Sequence, residues 1–175
     1  SLIEEWKVQI PDEAPNHFLV NIPPDELPNV QTLLSEAKIR PEPIYPMMRA
    51  RLTHINGQET TEEQRDASNA LRRELNVTWA ETLAADNKIL EGNWWDTWRR
   101  AEDQLPGVSV EEKTATEIGL KIGDKLRFSF GGLEMSAQVA SFRSLDWRSM
   151  HPNFFFIFEP GSLDAYSPTY ITSIY

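Results

Sequence analysis

The sequence predicts an α+β fold in which a β-α-β unit precedes a β-rich unit built as a small sheet or open barrel. Three observations carry this. A stripe of helical spacing lies between two strand-like runs in residues 1–57, a strictly alternating hairpin surrounds Gly131-Gly132, and short apolar runs follow it. The 175 residues are 40% hydrophobic and 25% charged, which is enough apolar material for a core and too much for a disordered chain.

Asn16 to Ile22 is a short, partly alternating apolar run, and Pro23-Pro24-Asp25-Glu26 after it reads as a helix entry. Leu27, Val30, Leu33, Leu34 and Ala37 then share one helix face, and Arg40-Pro41-Glu42-Pro43 ends the helix. Ile44 to Ile55 alternates as a strand closed by the turn pair Asn56-Gly57. These elements form β-α-β, the smallest unit that pairs two parallel strands across a helix.

A capping box, Thr60 with Glu63 or Thr61 with Gln64, opens a charged surface helix expected to reach about Leu75. From Leu75 to Trp98 periodicity fades, and the segment reads as irregular, packed by its own side chains. A second capping box, Ser109 to Glu112, predicts a helix stopped by Gly119. Leu126, Phe128 and Phe130 alternate up to Gly131-Gly132, and Leu133, Met135, Ala137 and Val139 alternate away, so Phe128 should face Met135 on a buried side. Phe154 to Phe158 and Thr169 to Ile174 complete the strands. The chain thus divides into 1–57, the β-α-β part; 58–107, a helix plus the Trp-rich segment; and 108–175, the β-rich part, with a terminal strand free to return to the first part.

The chemistry that composition permits is narrow. With 27 acidic against 17 basic residues the net charge is −10, which repels phosphate backbones and argues against nucleic acid. Cysteine is absent, removing disulfides, thiolate metal sites and Cys nucleophiles. His17, His54 and His151 show no metal-ligand spacing, so neither a metal nor a cofactor is expected. No nucleophile-elbow or phosphate-loop motif occurs, and no catalytic residue is assigned. The longest apolar run, Phe154 to Phe158, is far short of the about 20 residues of a membrane helix. The sequence opens at Ser1 without an initiator methionine or signal-like region and reads as a piece of a longer chain.

Six tryptophans are many for this length, and Trp94, Trp95 and Trp98 fall together. Indoles bury large areas, so packing explains such a cluster more readily than exposure, but exposed aromatics also mark partner surfaces. Trp94, Trp95, Trp98, Phe154 and Phe155 are therefore the candidate binding residues.

Three segments add a resemblance: LNVTWAETLAADNKILEGNWW at Leu75 to Trp95, VSVEEKTATEIGLKIGDKLRFSFGG at Val108 to Gly132, and VASFRSLDWRSMHPNFFFIFEPGSLD at Val139 to Asp164. Together with APNHFLVNI at Ala14 to Ile22 and the ending TYITSIY, they resemble the FtsX-like permease family of ABC transporters with its MacB-like periplasmic core domain. The resemblance implies a porter-like subdomain near the bacterial inner membrane, entered through stalk residues, with the β-rich subdomain inserted in it and facing the periplasm. In that family the chain continues past a stretch like Tyr170 to Tyr175 with another helix and strand, so the porter-like half is expected to lack its mate. The implied function is non-enzymatic: the domain transmits ATP-driven movement and engages a lipophilic molecule or a partner protein at the membrane face. The implied partners are a cytoplasmic ATPase subunit reached through membrane helices and a periplasmic thioesterase or lysophospholipase, with room for a homodimer. The alternative is a periplasmic esterase whose Ser-His-Asp triad assembles from dispersed residues.

Overall fold

The computed structural model describes residues 7–9, 17–38, 44–146, 148, 152–166 and 168–174. By contact density the chain separates into two compact units, 1–47 with 147–153 and 165–175, and 48–146 with 154–164.

The first unit holds β1 (Lys7–Gln9), β2 (His17–Ile22), α1 (Leu27–Glu36), the start of β3 (Tyr45–Ile55) and β11 (Thr169–Ile174). β11 pairs antiparallel with β2 on one side and with Tyr45, Pro46 and Met47 of β3 on the other. β2 and β3 therefore run parallel, as β-α-β requires, but they do not touch as expected: the C-terminal strand lies between them. The terminal strand does return to this part of the chain. α1 buries Val30 and Leu34 against Leu19 and Ile22, with Leu27 and Tyr170 packed alongside, while Leu33 of the predicted stripe stays 42% exposed. Pro28 in the first turn, where its missing N–H costs no hydrogen bond, suits this helix start.

The second unit is a closed barrel, not an open one. Its six strands follow the order β3, β5 (Leu75–Trp79), β10 (Phe156–Phe158), β7 (Gly107–Glu111), β9 (Leu133–Leu145), β8 (Lys125–Phe130), and back to β3. β5 with β10 and β7 with β9 are parallel pairs; the other contacts are antiparallel. Closure leaves no strand edge to protect around the ring. β6 (Asn87–Gly92) lies outside it, extending β9 along Ser141 to Leu145. The predicted hairpin is present with Phe128 opposite Met135. Phe128 is 1% exposed and meets Phe156 and Phe158 edge-on, with ring centroids 5.2 and 5.0 Å away. Met135 is half-buried.

Three local expectations are corrected. The stretch from Leu75 to Trp98 contains two strands, β5 and β6; in β5 the inward residues Leu75 and Val77 are joined by a buried Thr78, which breaks the alternation. The charged helix stops early: α2 (Glu62–Ala67) carries the box between Thr61 and Gln64, and Ser68 then caps a short α3 (Asn69–Arg72) through the Ala70 N–H. Ser109 caps nothing, because it is buried in β7 and its hydroxyl accepts from the Ser141 hydroxyl at 2.7 Å; α4 (Glu112–Ile118) is instead capped by Glu111, whose carboxylate accepts from the Thr114 N–H at 2.7 Å.

After α4, Gly119 turns the chain at φ 74°. The Gly123-Asp124 turn that follows is fastened to β9, donating from Gly123 to the Val139 carbonyl and accepting from the Val139 N–H at 2.9 and 2.8 Å. Asp124 also accepts from the Asn56 amide at 3.0 Å, while Asn56 accepts from the Lys125 N–H. One Gly-Asp turn thus ties α4, β8, β9 and the β3–β4 turn (β4, Gln58–Glu59) into a single corner of the barrel.

Candidate partner-binding site

The tryptophan segment hangs from the end of β6. Gly92 leaves the strand at φ 77° so close to β9 that an added Cβ would lie 2.2 Å from the Ala140 carbonyl oxygen. Asn93 then donates to that same carbonyl at 3.1 Å. A single helical turn follows, with the Thr97 and Trp98 N–H groups both donating to the Trp94 carbonyl.

Each of the first two indoles uses its one donor on the protein's own backbone. Trp94 Nε1 donates to the Glu81 carbonyl at 2.9 Å and Trp95 Nε1 to the Ala80 carbonyl at 2.7 Å. Ala80 in turn donates to the Phe158 carbonyl of the barrel. The rings of Trp94 and Trp95 lie 4.6 Å apart at 32°, and Trp98 meets Trp95 edge-on at 6.0 Å. Beneath them Gly107 opens β7 with no room for a side chain: a Cβ would stand 2.7 Å from Trp95 and 3.0 Å from Trp98. Glu159 accepts from Arg100 at 2.9 Å and brackets Gly107, whose carbonyl receives the Glu159 N–H. The cluster is therefore an anchor for an otherwise irregular connection. It is also half-exposed: Trp94, Trp95 and Trp98 all keep accessible surface.

That surface lines an open groove of about 800 Å³ formed with Glu81, Leu83, Ile89 and Asp96. A second groove shares Glu81 and Trp95 with it and is lined further by Trp98, Arg99, Arg100 and Glu159. The two phenylalanines grouped with the tryptophans by sequence line neither of these grooves. Phe154 is only 5% exposed and its carbonyl accepts from Arg143; Phe155 is half-buried and its carbonyl accepts from the Glu111 N–H.

Sequence reasoning missed Arg143. This fully buried residue sits in β9 opposite Glu111 of β7, donating to Asn87 Oδ1 at 3.3 Å as well as to Phe154. Burial pulls its pKa down to about 9, against the pull of Glu111 and Asp86, which favour the charge. Guanidinium nevertheless stays protonated at neutral pH, so the second unit holds a buried cation on the strand position paired with the buried Glu111. Parity hid it: a bulge in β9 between Val139 and Ser141 puts Arg143, with Ser141, on the opposite face of the strand from Ala137 and Val139. For the hydrolase alternative, His54 is half-buried and its Nδ1 pairs with Thr53 Oγ1 at 2.8 Å; His151 lies outside the described residues, as do the side-chain surroundings of His17. Nothing here supports that alternative.

Among the described residues no helix is long and apolar enough to cross a membrane. No family model matches the chain. Its sequence nevertheless places it in the ABC transporter permease family over the segment it covers. One similar protein is the Uncharacterized ABC transporter permease YbbP of Escherichia coli (strain K12), 39% identical over 172 residues. The match takes in 98% of this chain and only a fifth of that protein's length.

Proposed function

We propose that this chain is the extracytoplasmic domain of an FtsX-like ABC transporter permease, facing the periplasm and anchored in the inner membrane by helices outside the segment. The observation that carries it is the near-complete match of a barrel-bearing segment without a membrane-spanning helix among its described residues to one fifth of a transporter permease. A permease of this kind works with a cytoplasmic ATPase. The domain receives the energy of ATP only as a shift in the populations of its conformations. It catalyses no reaction. Trp94, Trp95 and Trp98 form the surface that engages a lipophilic molecule or a partner protein, because they are half-exposed on a rigidly anchored turn. The porter-like character of the β2-α1-β3 unit belongs to the same proposal, supported by its parallel strands and covering helix.

Sidedness tests this. The segment has no cysteine, and Glu102 is exposed. In an otherwise cysteine-free full permease, Glu102→Cys should react with a membrane-impermeant maleimide in cells whose outer membrane alone is permeabilised. Reaction only after the inner membrane is broken would overturn the proposal.

A further inference from the structure

The ionisable side chains that line the groove beside Trp94 are all acidic. Glu81 and Asp96 are the ionisable side chains in its lining, both are exposed, and among the described residues neither forms an ion pair. Of the basic residues near it in sequence, Arg100 pairs with Glu159, Arg99 donates through Nη1 to the Trp98 carbonyl, and Lys88 is exposed and outside the lining. The indole N–H groups are also spent, on the carbonyls of Glu81 and Ala80. What Trp94 and Trp95 have left to offer is the electron-rich ring face, which attracts cations. Leu83 and Ile89 extend the lining as apolar surface, and about 800 Å³ is far more than a small head group fills.

We infer that this groove binds an amphiphile with an alkylated ammonium head, the head against the indoles, Glu81 and Asp96, and the chain along Leu83 and Ile89. This rests on the reading of the tryptophans as a ligand surface and names the ligand's chemistry. A bare carboxylate cluster would attract any cation; the ring faces select one that is weakly hydrated and carries methyl groups.

The test holds the tail constant and changes the head. The chain is titrated, below each micelle threshold, with octyltrimethylammonium, octyl glucoside and octyl sulfate, following tryptophan emission and amide chemical shifts. Octyltrimethylammonium should bind at least tenfold more tightly than the other two, with shifts centred on residues 81–97. Its advantage should fall at least fivefold in Glu81→Gln/Asp96→Asn, whose exposed positions leave folding intact by circular dichroism. Equal binding of the glucoside, or an undiminished advantage in the double variant, would overturn the cation inference while leaving an apolar groove. If none of the three shifts residues 81–97, both the inference and the ligand-surface reading fall.

Discussion

Gly92→Ala probes how the candidate site is attached to the barrel. The new Cβ would stand 2.2 Å from the Ala140 carbonyl oxygen and 2.9 Å from Ser141 Cα, both backbone atoms that cannot rotate away. A carbon–oxygen contact relaxes at about 3.3 Å, so the strands must part by about 1 Å. At φ 77° the alanine also takes a left-handed conformation. That conformation costs about 1–2 kcal/mol and overpacking about 1–3 kcal/mol, so the sum is about 2–5 kcal/mol. Such a loss is a large part of the roughly 5–15 kcal/mol that holds a domain folded. Urea unfolding followed by far-ultraviolet circular dichroism gives the loss, and the near-ultraviolet spectrum reports Trp94 and Trp95, which follow within three residues. A variant within about 0.5 kcal/mol of the parent, with an unchanged near-ultraviolet spectrum, would refute the close approach.

Other substitutions test neighbouring parts. Phe128→Ala should cost about 3–5 kcal/mol in the same urea assay, because the ring fills the barrel between Phe156 and Phe158; a cost near that of an exposed residue would contradict closure around it. Ser141→Ala strands the buried Ser109 hydroxyl and should cost about 1–3 kcal/mol, whereas the double change with Ser109→Ala should recover most of that loss; strict additivity would show the pair is not coupled. Gly107→Ala should destabilise by about 1–3 kcal/mol and alter tryptophan emission, since Trp95 is pinned through its N–H and cannot retreat; unchanged emission would mean the rings have slack.

What was legible in the sequence was local. The Gly131-Gly132 hairpin and α1 each declare their period over several residues, and the Thr61–Gln64 box is complete within four. What was hidden depends on partners far along the chain. β11 inserts between β2 and β3 from more than a hundred residues away, and Leu52, assigned by sequence to the β-α-β part, pairs with Phe128 in the barrel. Barrel closure follows from that second half of β3, so an isolated reading of residues 44–55 could not reveal it. β6 stayed invisible because it lies outside the barrel ring: Lys88, Leu90 and Glu91 are exposed, and a bulge between Ile89 and Glu91 breaks the alternation. At the site, clustering in sequence located the three tryptophans, but their roles came from backbone carbonyls at Ala80 and Glu81. Phe154, a candidate surface residue by sequence, is buried, and its carbonyl accepts from Arg143, a partner that only the fold brings to it.

Hydrogen exchange on the full permease with its ATPase in nanodiscs measures most directly whether this domain answers to ATP turnover across the membrane. Peptides covering the tryptophan turn, residues 92–100, should change protection between the nucleotide-free and ATP-hydrolysing states, while the barrel strands around Phe128 stay protected in both. Identical exchange in every peptide of the domain under hydrolysing and nucleotide-free conditions would contradict a transmitting role and leave a static platform in its place.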